Sequence, residues 1–324
     1  MLLRYRLTTA ADLPRCLDMV HNSFTHRPDV RDALPRVWAE LIEQGAIISA
    51  VIEAQYAHGH RALEAVSINA FVSDPFLDEF LARPVPYIAL QVYERHMQGR
   101  SPLLDSEGIR QANAGAGLNL LILHTGATTN DYTQPSAHVL VEMFREMHII
   151  LLSGHRINRV VHEVLGETAR GYMQGAGFRL ITDYVEHIAR SGVPLRDEDH
   201  PYLFVTAEAD TVPGSAPAIY FRHVTPRFGF SPMQQLVLLH AWCNATDGEI
   251  AERLHVSTDT VRKHWRAIYQ RVTEVAPHLL PGEHVEGDTR GPEKRRHLLA
   301  YLRHHPEELR PYPQPRRRAN SRPH

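Results

Sequence analysis

The sequence predicts an α/β domain followed by an all-α domain, and three observations carry that prediction. Up to residue 210, apolar runs of strand length alternate with amphipathic stretches of helix length. From Phe230 to Val272 the strand patterns stop, and three helix starts follow one another, each marked by a capping residue. Between these regions lies Thr211-Val-Pro-Gly-Ser-Ala-Pro217, which has the composition of a linker. The charge changes at the same place. From Met1 to Ile219, 18 Arg and Lys stand against 26 Asp and Glu, whereas from Tyr220 onward 17 stand against 11. An acidic first part and a basic second part suit a chain in which only the second approaches phosphate.

In chain order, Leu3, Tyr5 and Leu7 alternate as a short strand, and Thr8 or Thr9 opens a helix to about Val20. A second helix is expected from Val30 to Gln44, stopped by Gly45. Ala46–Gln55 and Ala62–Val72 read as paired strands around His58-Gly59-His60, and helical patterns between Asp74 and Gln111 read as an insertion. Leu118–His124 is a buried strand, Pro135–Leu152 a helix, Arg159–Val164 a strand and Glu167–Gln174 a short helix. Arg179–His187 and Tyr202–Glu208 are expected as closing strands.

The second region opens with Ser231-Pro232 and Gln234, a hydroxyl cap, a proline at the first helical position and a capping-box partner, for a helix over Pro232–Cys243. Thr246 with Glu249 repeats the box for a second helix that ends near His255. Ser257 or Thr258 caps a third, in which Val261, Trp265, Ile268 and Val272 form one apolar stripe. The short connection between the second and third helices forces a sharp corner, the geometry of a helix-turn-helix. Thr258, Thr260, Arg262, Lys263, Arg266, Gln270 and Arg271 lie on the opposite face as DNA-binding candidates. Arg reads guanine and Gln reads adenine with paired hydrogen bonds, and Lys and hydroxyls reach phosphate.

Ser231-Pro232, Glu249-Ile250-Ala251 with Leu254, and Ser257 followed by Thr260-Val261-Arg262, His264 and Ile268 resemble the LuxR-type helix-turn-helix of bacterial transcription regulators. The resemblance implies Arg262 and Arg266 as the leading DNA contacts, with Thr258 and Thr260 beside them and His264 partly structural. Met233-Gln234-Gln235 departs from the charged residues the family carries after the proline. The β-α-α-β-β-(insert)-β-α-β-α-β-β order of the first domain is similar to the acyl-CoA-dependent N-acetyltransferase fold, the GNAT fold. Leu7–Leu13 and Ala169–Phe178 resemble its first strand-to-helix turn and its late helix. In that family a glycine-rich loop after the central strand wraps the pyrophosphate of coenzyme A. Here Thr125–Pro135 holds one glycine and an acid. Tyr172 matches the family's frequent general acid, but a Tyr on a helix beside glycine is more often core, and that is the reading taken for it.

No apolar run reaches the 18 or so residues that span a bilayer, and the first residues lack the pattern of a secretion signal, so a cytoplasmic chain without membrane contact is expected. Cys16 and Cys243 read as reduced packing residues, and the paired histidines at 58/60 and 304/305 lack the further ligands of a metal site. No cofactor or metal is expected. The expected organisation is an α/β sensing or assembly domain over 1–210, a linker over 211–219, a DNA-binding domain with a helical extension over 220–305, and a disordered basic tail over 306–324. The expected partners are double-stranded DNA, a second copy of the chain and a small-molecule effector. The alternative is an acyl-CoA-dependent N-acetyltransferase tethered to DNA.

Overall fold

Strands β1 (Leu2–Leu7), β2 (Ile47–Gln55), β3 (Arg61–Val72), β4 (Leu118–Ala127), β5 (Ile157–Leu165), β6 (Leu180–Asp183) and β7 (Pro201–Ala207) form one sheet in the order β1-β2-β3-β4-β5-β7-β6. Only β4 and β5 run parallel, and every other neighbour is antiparallel. The computed structural model describes residues 2–20, 27–56, 59–129, 134–191, 196–280 and 290–313.

Helices α1 (Leu13–Met19), α2 (Pro28–Glu43), α3 (Asp74–Ala82), α4 (Ile88–Met97), α5 (Ser106–Ala114), α6 (Pro135–Leu152), α7 (Glu167–Gly175) and α8 (Val185–Ser191) accompany the sheet. The side-chain alternation of β4 divides them. Leu121 and Leu123 join a core with Trp38 of α2, Phe76 of α3 and Tyr93 of α4, whereas Leu120 and Ile122 join Ile109 of α5 and Leu140 and Met147 of α6. Because both faces are covered, the central strands read as continuous apolar runs. The element order is the one expected from the sequence except for α8, which stands between β6 and β7, and the insertion resolves into α3, α4 and α5.

After β7 every element among the described residues is helical: α9 (Pro232–Trp242), α10 (Asp247–Arg253), α11 (Thr258–Val275), α12 (Arg290–Leu302) and short 3-10 turns. Val237, Ile250, Val261, Ile268, Val272, Leu298 and Leu302 form their common core. α12 braces the neighbouring helices. Arg295 lies 4.8 Å over the Trp265 ring, and it donates to Asp247 at 2.8 Å and to the carbonyl of Ala245 at 2.8 Å. The two parts also touch through β1, where Arg4 pairs with Glu249 of α10 at 3.2 Å.

Three sequence expectations change. The strand expected over Arg179–His187 ends at Asp183, whose carboxylate accepts from Val185 N at 3.0 Å as α8 begins. The expected linker does not behave as a spacer, because Ala216–Phe221 forms a 3-10 turn that buries Ile219 and Tyr220 in the core beneath α6. In the expected tail, Pro306–Leu309 forms a buried 3-10 turn, since Glu308 and Arg310 find backbone partners there. Residues 314–324 and His58 lie outside the described residues. Cys16 and Cys243 are buried and unpaired with one another.

Candidate functional site

The helical face is set by its caps. Ser231 Oγ accepts from Gln234 N at 3.3 Å while Gln234 Oε1 accepts from Ser231 N at 2.8 Å. Thr246 and Glu249 repeat the exchange at 3.2 and 2.8 Å, and Ser257 Oγ accepts from Thr260 N at 3.1 Å at the start of α11. These bonds satisfy amides that have no partner within their helices. The corner between α10 and α11 turns on His255, which has a φ of 52°. With Val261, Trp265, Ile268 and Val272 buried, Thr258, Arg262, Lys263, Arg266 and Gln270 stand exposed on α11.

The seven candidates are not equivalent. Arg262 pairs with Asp259 at 3.1 Å and Gln270 donates to Glu274 at 3.0 Å, both on the exposed surface. Neither Lys263 nor Arg266 has an acid partner among the described residues. The Thr260 hydroxyl lies 3.0 Å from Ser257 Oγ, within the cap. Arg271 has a backbone partner within the chain. Its Nε donates to the carbonyl of Phe228 at 2.7 Å, so it ties the helix to the chain leading into it.

A second site lies in the sheet. β4 and β5 pair only from Leu118/Ile157 to Ile122/His162. Beyond that point β4 stays with β3 and β5 with β7, and the two part company. The opening is a cavity of about 740 Å³ bordered by Tyr87, Leu90, His124, His162, Glu163 and Glu167. A smaller cavity, about 180 Å³, shares Ile122, Thr125, His162, Val164 and Ala169 with it and reaches Phe144 and His148 of α6 and Tyr220.

Four acids, Glu163, Glu167, Asp197 and Glu198, line the larger cavity, and among the described residues no Lys or Arg does. Glu163 accepts from Tyr87 N at 2.9 Å and Ile88 N at 3.4 Å, at the start of α4. Burial pushes its carboxyl up to about 8, against the opposing pull of those amides. His162 is 8% exposed and pushed down to about 3 by burial, with His148 and His124 adding to the shift, so its imidazole is neutral. In the lining of the smaller cavity His148 Nδ1 lies 2.7 Å from the Tyr220 hydroxyl, and behind it His148 Nε2 lies 2.9 Å from Ser67 Oγ.

Tyr172 lies on the rim of the smaller cavity and is 44% exposed, which corrects its reading as a core residue. Sequence reasoning did not single out Glu163 or His162. The available signal was the adjacent polar pair His162-Glu163 inside the apolar run of β5. Among the described residues no cluster of three metal-ligating side chains occurs, and no helix is long and apolar enough to cross a membrane.

No protein-family model matches the chain, and no curated protein matches it. Solved structures similar to it include the C-terminal condensation domain of Ebony in complex with beta-alanyl-dopamine, at 13% identity and a TM-score of 0.37, over 64% of this chain and 99% of that one. An agmatine N-acetyltransferase in its apo form matches at 14% identity and a TM-score of 0.36, over 63% of this chain and 99% of that one. A polyamine N-acetyltransferase of Drosophila melanogaster matches at 14% identity and a TM-score of 0.37, over 64% of this chain and all of that one.

Proposed function

We propose that the chain is a sequence-specific, double-stranded-DNA-binding transcription regulator whose α/β domain holds a small ligand. The observation that carries this reading is the exposed row Arg262, Lys263, Arg266 and Gln270 on a helix whose other face is buried and whose start follows a sharp corner. This row supports the reading of α10 and α11 as a LuxR-type helix-turn-helix, with α11 in the major groove. Two copies with their recognition helices one helical turn apart, about 34 Å, grip a two-fold site. The acidic lining of the larger cavity favours a cationic ligand over a polyanion such as coenzyme A. The test is fluorescence anisotropy of selected duplexes over a salt series: specific binding that weakens steeply with salt supports the reading. No specific duplex recovered from a random-sequence pool would refute it.

The alternative, an acyl-CoA-dependent N-acetyltransferase tethered to DNA, is favoured by one observation. β4 and β5 part beside a carboxyl held near 8, a value suited to taking a proton from an amine near neutral pH. Melting of the full chain with acetyl-CoA and with coenzyme A tests it. An upward shift supports ligand binding by mass action, and the absence of any shift at millimolar ligand removes the alternative.

A further inference from the structure

The segment that follows α12 buries three charged residues deeply: Glu307 is 5%, Glu308 1% and Arg310 2% exposed. Such residues are rarely buried without dedicated partners. The partners of Glu308 and Arg310 lie in different parts of the molecule. Arg310 Nε donates to the carbonyl of Ser153 at 2.7 Å, and its Nη2 donates to the carbonyl of Ile150. Both belong to the end of α6, where unsatisfied carbonyls and the negative end of the helix dipole take the place of a carboxylate. Glu308 faces the other way. Its two oxygens accept from Arg227 N at 2.8 Å and Phe228 N at 2.9 Å, at the entry to the helical region.

Two further bonds fix the strand of backbone between them. Gln235 of α9 donates to the carbonyl of Arg310 at 2.7 Å, and Asn113 of α5 donates to the carbonyl of Pro311 at 3.0 Å. The approach is close. A Cβ on Gly154, just past α6, would stand 2.4 Å from the amide nitrogen of Glu307.

From Phe228 the contacts continue to α11, because the Phe228 carbonyl accepts from Arg271 Nε at 2.7 Å. In the other direction they reach the ligand cavity. Phe144 and His148 of α6 line the smaller cavity, and His148 precedes Ile150 by two residues. α6 is a rigid helix, so a displacement at Phe144 or His148 moves the carbonyl of Ile150 with it.

We propose that Pro306–Pro311 is a clasp: Arg310 holds the carbonyl end of α6, Glu308 holds the entry to the helical region, and movement of α6 at the cavity reaches α11 through Phe228 and Arg271. Arg310 and Glu308 are positioning residues. The consequence for DNA rests on the reading of α11 as the recognition helix, whereas the clasp itself does not.

The experiment is hydrogen–deuterium exchange on the full-length chain, comparing wild type with Arg310→Met, Glu308→Gln, Asn113→Ala and the double variant N113A/R310M. Met fills the guanidinium's space without its donors, and Gln leaves one of the two Glu308 partners without an acceptor. The expected result in each single variant is at least tenfold faster exchange in residues 227–230 and in the second half of α11, with α3 and α4 unchanged. Asn113→Ala is the decisive member, since the hydrogen bonds of Asn113 run to the Pro311 carbonyl and from Arg156 N, not to α9, α10, α11 or α12. The double variant is expected to match R310M, because both substitutions open one device. Effects confined to α5, α6 and 306–311, or additive effects, would overturn the clasp; should R310M fail to fold, E308Q and N113A carry the same test. DNA affinity measured on the same samples separates the two readings. If wild type binds no specific duplex, the functional reading fails while exchange still judges the clasp. If wild type binds and no clasp variant alters its affinity, the clasp does not control α11.

Discussion

The indole Nε1 of Trp265 lies 3.2 Å from Oδ1 of Asp247, and Arg295 reaches the same oxygen at 2.8 Å. One carboxylate therefore joins α10, α11 and α12 at a point where all three are only partly buried. Asp247→Ala leaves the indole N–H and the guanidinium without their shared acceptor. It is expected to destabilise the helical region by about 1 to 2 kcal/mol. The urea midpoint followed by tryptophan fluorescence measures this, and an unchanged midpoint would show that the junction contributes nothing.

Arg266 and Arg271 are both basic residues of α11, but their surroundings assign them different work. The double variant R262A/R266A is expected to lose specific DNA binding by tenfold or more, since each paired base contact is worth about 1 to 3 kcal/mol. Its melting temperature should remain that of wild type, because both side chains are exposed. Arg271→Ala should instead lower stability by about 1 kcal/mol through loss of the Phe228 bond. Equal losses of affinity with equal melting temperatures in both variants would contradict the distinction.

His148 is pushed down from 6.5 to about 4 by burial. Its folded form resists protonation, so between these values the unfolded chain binds more protons and stability falls as the pH is lowered. A single such group imposes a slope approaching about 1.4 kcal/mol per pH unit inside the window. His148→Gln, which keeps polar atoms between Ser67 and Tyr220, should flatten the stability profile between pH 6.5 and 4. Denaturant midpoints across that range, compared with wild type, decide the matter.

Glu163 shifts in the opposite sense, up from 4.5 to about 8. For an acid with a raised folded value, the native state holds the proton that the unfolded chain has released. Stability therefore declines as pH rises from about 4.5 towards 8. Glu163→Gln has no such window, so its stability relative to wild type should rise over that interval and level off above it. Parallel wild-type and variant profiles would mean that the carboxyl is ionised throughout.

Gly154 has a φ of +88°, and a Cβ there would collide with the backbone of Glu307. Gly154→Ala is expected to cost about 2 kcal/mol or more, since both the conformation and the close approach oppose it. Calorimetry of the variant checks this. A melting curve identical to that of wild type would place 306–311 away from Gly154 in solution.

Local signals made much of the chain legible. Caps are chemistry between residues a few positions apart, so Ser231 with Gln234, Thr246 with Glu249, and Ser257 or Thr258 marked three helix starts, the last of which the structure gives to Ser257. Alternation and apolar runs likewise placed β2, β3 and β4, whose neighbours in sequence are also neighbours in the sheet. The pattern failed after Asp183, where apolar residues continued but the Asp183 carboxylate accepts from Val185 N as α8 begins.

The sequence alone determined most of the element types, the apolar stripe of α11 and the basic residues opposite it, because each depends on spacing along one helix or strand. Tertiary structure decided which of those residues are free to act. Arg271 left the exposed row because Phe228, 43 positions earlier, offers it a carbonyl. Glu163 and His162 became cavity residues because β4 and β5 separate after Ile122, and nothing local to either strand encodes a separation from a partner. A proline-rich end became a buried clasp because Arg310 meets the end of α6, 157 residues away from it in the chain. Composition describes how a segment behaves in water; the partners that a folded surface brings to it are long-range and decide whether it stays there.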